Sequence, residues 1–283
     1  QYKDERYRKN TVVELDKVPA RGSYTFTGWY ADKELTEPID EIQMTSDKTV
    51  YAGWRLTGVP DMLNGDEHFA YVAGYEDGTV RPNNKITRAE VATIFYRLLD
   101  EDVRSANETN VNPFADVEEG MWFNTPVSTV ASLGIVEGRP TGVFDPNAPI
   151  TRAEFATVCA QFDRSEIDKT FHFSDTHGHW AESFIERAAS LGWISGYEDG
   201  AFRPENYITR AEAMTMINRV LNRLPEDEDD LLDGMNVWPD NKPGDWYYLA
   251  VQEATNSHDF TRKGDVHEHW TKLTADPDWS QYQ

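Results

Sequence analysis

The chain has 283 residues, 39% of them hydrophobic and 12% aromatic, a composition that supports folded domains and excludes a wholly disordered chain. Its 50 acidic against 27 basic side chains give a formal charge of −23, which excludes a broad nucleic-acid-binding face, because phosphate binding needs Lys and Arg to displace condensed counterions. A single cysteine, Cys159, excludes an internal disulfide and a cysteine-based zinc cluster, and no apolar run reaches the roughly 18 residues that cross a bilayer.

The opening QYKDERYRKN has no signal-peptide core and starts inside a module, so the chain is expected to be part of a longer protein. Through residues 11–54, GSYTFTGWYADKEL and KTVYAGW carry aromatic and β-branched residues at alternate positions, as short half-buried strands do. This predicts a small β module over 1–56, followed by a linker over 57–64. The pattern YTFTGWY…TVYAGW resembles a partial internalin-type B-repeat, a β-grasp-like stalk module of bacterial surface proteins.

From Gly65 the chain repeats at intervals of roughly 60 residues, and two half-units alternate. The first begins aromatic-x-Asp and reaches a Trp before a helix: FADVEEGMW from Phe114, FSDTHGHW from Phe173 and WPDNKPGDW from Trp238. In the middle copy Trp180, Phe184, Ala188 and Leu191 are expected on one helical face, with Gly192 as the stop. The second half-unit is a glycine-flanked turn and a helix opened by Thr-Arg-Ala-Glu: GYEDGTVRPNNKITRAE from Gly74, GRPTGVFDPNAPITRAE from Gly138 and GYEDGAFRPENYITRAE from Gly196. Val91, Ile94, Phe95 and Leu98 align with Phe155, Val158, Cys159 and Phe162, and with Ala213, Met216, Ile217 and Val220, a buried stripe that makes Cys159 a core residue.

The Gly74 half-unit has no Trp-bearing helix before it, and the Trp238 half-unit has no Thr-Arg-Ala-Glu helix after it. The fold is therefore expected to be mainly α, a pseudo-threefold bundle of three helix pairs closed by circular permutation, the Trp246–Thr255 helix packing beside the Arg88 helix. The expected boundaries are 65–110 for the second half of module 1, 111–168 for module 2 and 169–225 for module 3. Residues 226–262 supply an acidic connector and the helix completing module 1, and 263–283 an irregular tail. PEDEDDLLDG, 225–234, is a solvated connector whose spacing matches no calcium loop.

Thr-x-x-Glu is a capping box: the Thr hydroxyl accepts from the amide of the third helical residue, and the Glu carboxylate accepts from the cap amide. Thr87/Glu90, Thr151/Glu154 and Thr209/Glu212 need no further role. The Arg is unexplained by capping, because the first helical position carries the positive end of the macrodipole. Two readings stand: Arg88, Arg152 and Arg210 pair with internal carboxylates, Asp116, Asp175 and Asp240 being available, or they and an exposed amide end await an external anion.

These half-units resemble surface-layer homology domains, which occur in threes and form a spindle. The resemblance implies non-covalent anchoring of a bacterial surface protein to an anionic secondary cell-wall polysaccharide, often capped by a pyruvate ketal, held in grooves between modules. It implies that Arg88, Arg152 and Arg210 hold the carboxylate, and that Asp116, Asp175 and Asp240 accept from sugar hydroxyls or orient the arginines. Trp122, Trp180 and Trp246 stack on a sugar or open the core stripe, Gly74 and Gly196 admit a close ligand, and Arg81 and Arg203 add a second cation. The middle copy departs, with Arg139-Pro140-Thr141-Gly142 in place of Tyr-Glu-Asp-Gly and Asp145 in place of Arg81 and Arg203. Its groove is expected to be the weakest, with Arg152 mattering least.

An extracellular location at the cell wall or surface layer of a Gram-positive-type bacterium follows from the same resemblance. HFSDTHGHW and VHEHW are rich in histidine but lack the two-His helical spacing of a zinc hydrolase, and no nucleophile elbow or phosphate loop is present. No catalytic residue, metal or cofactor is expected, and no nucleic acid or membrane insertion. The chain should be a monomer. The competing class is a protein-binding or self-assembling surface-layer module.

Overall fold

The computed structural model describes residues 6–15, 24–33, 35–56, 58–163, 171–264 and 266–280, and divides into two compact units, Gln1–Thr57 and Gly58–Gln283. The module boundary expected at 168/169 and residue 57 of the expected linker lie outside the described residues.

In the first unit β1 (Val12–Glu14) pairs antiparallel with β3 (Glu41–Gln43), and β2 (Tyr24–Tyr30) pairs antiparallel with β4 (Tyr51–Leu56). The two aromatic-rich stretches are β2 and β4. Their register shifts between Phe26 and Gly28, a bulge at a glycine with φ +147°, which a side-chain-bearing residue rarely adopts.

The second unit is mainly helical: α1 (Arg88–Leu98), α2 (Glu101–Asn107), α3 (Asn124–Ser132), α4 (Arg152–Ala160), α5 (Glu182–Ser190), α6 (Arg210–Val220) and α7 (Tyr248–Thr255), closed by a hairpin of β5 (His258–Lys263) and β6 (His267–Leu273). Helices α1, α4 and α6 begin at the repeated tetrapeptide, and all three capping boxes form. Each such cap is worth about 0.5–2 kcal/mol. The expected stripes are buried on all three helices, with Cys159 fully enclosed and its thiol pushed far up by burial.

Immediately before these helices the three strands of chain meet. Ile86 N–H donates to Ile208 O at 3.3 Å, Ile208 to Ile150 at 3.1 Å, and Ile150 to Ile86 at 3.1 Å, a closed ring of backbone bonds with all three isoleucines buried. The helix starts are tied in the same rotation: Arg88 and Ala89 N–H donate to the carbonyls of Ala148 and Pro146, Arg152 and Ala153 to Asn206 and Pro204, and Arg210 and Ala211 to Asn84 and Pro82. The amide ends expected to be exposed are thus satisfied by the neighbouring corner, the first two orphan donors of each helix by carbonyls and the third by its own Thr.

Helix α3 packs on α1, α5 on α4 and α7 on α6. This corrects the expectation that α7 lies beside the Arg88 helix: elements near in sequence pack together, so each helix that follows a Trp lies on the tetrapeptide helix before it in the chain, α3 on α1 across the short α2. The permuted join is made instead by the loop and the end of α7. Asp240 accepts from Val80 and Arg81 N–H, Trp238 lies on Gly74, and Tyr71 and Val72 N–H both donate to Ala254 O.

Three further expectations are corrected. The buried face of the middle such helix, α5, is Ala181, Ile185 and Ala188: Ala188 is buried as expected, while Ala181 and Ile185 take the places read for Trp180 and Phe184, because Trp180 precedes the helix and is 60% exposed. Residues 58–64 are packed rather than a free linker, with Val59 and Leu63 buried and Leu63 bridged to Leu99. The tail expected to be irregular supplies β6, whose fully buried Trp270 joins Leu231 and Tyr248 in a second core. Leu231 and the buried Asp230 also tie the acidic run down, and the Lys263 ammonium sits among Glu226, Asp227 and Asp230.

Candidate ligand-binding grooves

The tetrapeptide arginines are 8%, 3% and 5% exposed at Arg88, Arg152 and Arg210. Each reaches across to the next corner. Arg88 donates from Nε to Phe144 O at 2.8 Å, from Nη2 to Glu137 O at 2.7 Å and from Nη1 to Glu154 Oε1 at 3.2 Å. Arg152 repeats this with Phe202 O, Ser195 O and Glu212 Oε1, and Arg210 with Val80 O and Glu90 Oε1. The tetrapeptide glutamate therefore serves twice. Its Oε2 accepts from its own cap amide, and its Oε1 accepts from the arginine of a neighbouring helix.

The internal partner of each arginine is the glutamate of another copy of the tetrapeptide, not one of the three aspartates. Asp116 instead accepts from Phe144 and Asp145 N–H, Asp175 from Phe202 and Arg203 N–H, and Asp240 from Val80 and Arg81 N–H. That clamp holds a strained residue: Arg81, Asp145 and Arg203 have φ of +50°, +62° and +58°. The glycines before each turn admit an aromatic ring of the chain itself. A Cβ on Gly74 would lie 2.1 Å from Trp238, one on Gly138 2.4 Å from Phe114, and one on Gly196 2.5 Å from Phe173.

Two concavities collect the candidate residues. One of about 290 Å³ is lined by Gly74, Tyr75, Glu90, Arg97, Trp122 and Arg210. The other, of about 710 Å³, lies between the Gly138 turn, α4 and the start of α5, and is lined by Arg88, Arg139, Asp145, Glu154, Trp180 and Tyr207 among others. Trp122, Trp180 and Trp246 are 38%, 60% and 67% exposed, so none is core.

The corners differ in how the turn meets the shared glutamate. At two of them a tyrosine hydroxyl donates to it, Tyr75 to Glu90 at 3.1 Å and Tyr197 to Glu212 at 3.2 Å. Over each tyrosine ring lies an arginine at 3.9 Å, Arg81 or Arg203, held by Asp77 or Asp199 at 2.9 Å. At the third corner Arg139 replaces the tyrosine and donates to Glu154 beside Arg88, with Asp145 3.9 Å from its Nε. Two guanidiniums thus share one carboxylate. Burial lowers the pKa of Arg88, and the Arg139 charge lowers it further, offset by Glu154.

The divergent turn surrounds Arg88, not Arg152. Sequence reasoning attached it to the arginine that follows it in the chain, whereas the ring hands each turn to the preceding corner's arginine. It also missed the glutamates as arginine partners, and Tyr75, Tyr197 and Arg139 as their second donors. The signal was present, since a tetrapeptide holding both charges and occurring three times can satisfy itself in rotation.

This combination of three tetrapeptide-capped helices, aspartate-clamped turns and inter-corner grooves defines a modular repeat protein. The S-layer homology domain model matches residues 70–92, 113–156 and 172–214, and the Listeria-Bacteroides repeat domain model matches residues 2–53. The chain is 38% identical over 230 residues to cell surface glycoprotein 1 of Acetivibrio thermocellus, covering 77% of this chain and 10% of that protein. It is 35% identical over 208 residues to the cellulosome-anchoring protein of the same organism, covering 71% of this chain and 45% of that one. An S-layer protein of Bacillus licheniformis is 32% identical over 150 residues, 52% of this chain and 17% of its own length. The chain carries a triplet of S-layer homology domains behind a Listeria-Bacteroides repeat, and spans less than half the length of these relatives. Family and relatives place it outside the cell, at the cell wall or surface layer of a Gram-positive-type bacterium.

Proposed function

We propose that the three corners form a pseudo-threefold set closed by permutation, and that this non-catalytic unit anchors a surface protein by binding an anionic secondary cell-wall polysaccharide between corners. The observation that carries this reading is the Arg88 groove, where Arg88 and Arg139 face one shared carboxylate, Glu154, beside the exposed Trp180. A guanidinium has five N–H donors, and three of those on Arg88 are used internally, so donors remain for a ligand. Arg139, about a third exposed, is the cation an incoming carboxylate meets first. A pyruvate ketal offers such a carboxylate on a sugar, and charge-assisted bonds to it are short and directional. The indole of Trp180 gives the sugar ring an apolar platform.

The Arg210 groove, with one buried arginine neutralised by one glutamate, serves as a weaker site. Several weak sites on one polymer bind together through effective concentration. The test is co-sedimentation with purified walls, intact or stripped of secondary polysaccharide. Pelleting with intact walls only is expected. Equal pelleting with both, or with neither, would overturn the carbohydrate reading and favour a protein partner.

A further inference from the structure

A second site lies outside the grooves, where the hairpin β5–β6 closes the helical unit. Four ionisable side chains from distant stretches meet there, and all four are fully buried: His68, Glu253 on α7, His258 on β5 and Glu268 on β6. His68 Nδ1 lies 3.3 Å from His258 Nε2, 3.1 Å from Glu268 Oε1 and 3.7 Å from Glu253 Oε1. His258 Nε2 lies 3.3 Å from Glu268 Oε1 and 3.4 Å from Glu253 Oε2. A tetrahedral ion with bonds of 2.0–2.2 Å sets its ligands about 3.3–3.6 Å apart, and these separations of 3.1–3.7 Å bracket that edge, Glu253 facing the two imidazoles with different oxygens.

The hydrogen-bonding around the cluster points the same way. His258 Nδ1 is 3.0 Å from Asn256 O, so it carries the proton and leaves the Nε2 lone pair facing inward. Inward of it stand His68 Nδ1 and carboxylate oxygens, a set that needs a positive centre among them, either a cation or a proton carried by His68 Nδ1 or by a carboxyl group. Glu253 Oε1 is buried with no hydrogen-bond partner, while its Oε2 accepts from Trp270 Nε1 at 3.0 Å, an orienting bond of the kind that supports metal ligands. Both imidazoles are clamped by stacked rings, Phe260 on His68 at 3.8 Å and Trp270 on His258 at 3.9 Å. Arg262 approaches the outer oxygen Oε2 of Glu268 at 3.7 Å, leaving Oε1 to the imidazoles. A cavity of about 490 Å³ lined in part by His68, His258 and Phe260 adjoins the cluster.

We propose that His68, Glu253, His258 and Glu268 form a structural site for a zinc-class divalent ion. Two neutral imidazoles and two carboxylates supply four ligands and the two negative charges that balance it. The ion would join residues 190 and 200 positions apart, His68 to His258 and to Glu268, and so staple the start of the helical unit to its end. A chain with one cysteine cannot staple itself by an internal disulfide. VHEHW contributes through its central Glu268, while His267 and His269 turn to Leu224 O and Asp230.

The experiment uses the whole tag-free chain, stripped with EDTA and then titrated with Zn²⁺ or Co²⁺. The expected results are one bound ion per chain, visible Co²⁺ absorption of tetrahedral intensity, and a Tm raised by about 5–10 °C at 100 times the Kd. Glu253→Gln and Glu268→Gln should each abolish the Co²⁺ bands, and Asp227→Asn, in the Lys263-filled acidic cluster, should leave them unchanged. If a glutamate variant does not fold, the wild-type Co²⁺ spectrum and stoichiometry decide alone. No bands and no Tm change with millimolar metal would overturn the site and assign the cluster to protons.

Discussion

The Arg210 corner and the Arg88 corner share one backbone plan and differ in who meets the glutamate. At the first, Tyr75 and Arg210 meet Glu90, while Arg81 stays outside on Asp77. At the second, the cation stands inward as Arg139 and the acid at Asp145, while Pro140 and Thr141 replace Glu76 and Asp77, so the turn has one acid fewer and the carboxylate faces two guanidiniums. Both how much charge the turn carries and where it sits relative to the groove distinguish the two.

The largest effect should come from breaking the shared pair. Glu154→Ala leaves Arg88 buried beside Arg139 without the carboxylate that pairs with it, and should cost about 3–5 kcal/mol of unfolding free energy. Glu90→Ala, which strands one arginine beside a neutral tyrosine, should cost less. Urea unfolding of both variants checks the order, and equal losses would mean that Arg139 adds no strain to its corner. Next, Gly138→Ala and Gly74→Ala drive a methyl into Phe114 and Trp238, and each should cost about 1–3 kcal/mol, read by calorimetry.

The comparison is sharpened by transplanting one corner onto the other. Arg139→Tyr with Asp145→Arg gives the middle turn the outer tyrosine and arginine, and should weaken wall binding about tenfold, or about 1.4 kcal/mol, with Tm within about a degree or two. Unchanged co-sedimentation would remove Arg139 from the site. Trp180→Ala, at an exposed position, should cost about 1 kcal/mol of wall binding and almost none of stability. The smallest effect is expected at Asp77→Asn, whose exposed link to Arg81 should change Tm by less than a degree. Its pKa is lowered to about 2 by hydrogen bonds from Thr79 and Arg81, so any contribution is present above the ordinary carboxylate range and is lost as pH falls toward 2.

Much of this molecule was legible before folding was considered. Helix starts, caps, the buried stripes and the strand pair of the β unit are local, set by i to i+3 spacing and by alternation, and they stand where residues 85–99, 151–162, 209–220, 24–30 and 51–56 put them. The tetrapeptide arginines, the exposed tryptophans and the divergent middle turn were also visible as singular residues. Their pairing was not. Which arginine a turn surrounds, which helix α7 covers, and which acid answers each buried cation depend on contacts between residues tens of positions apart, and no local spacing encodes the direction in which a ring of three corners closes. The His68–His258–Glu253–Glu268 cluster is the extreme case. Its members share no motif, and only the closure of the hairpin over the first residues of the helical unit brings their lone pairs together.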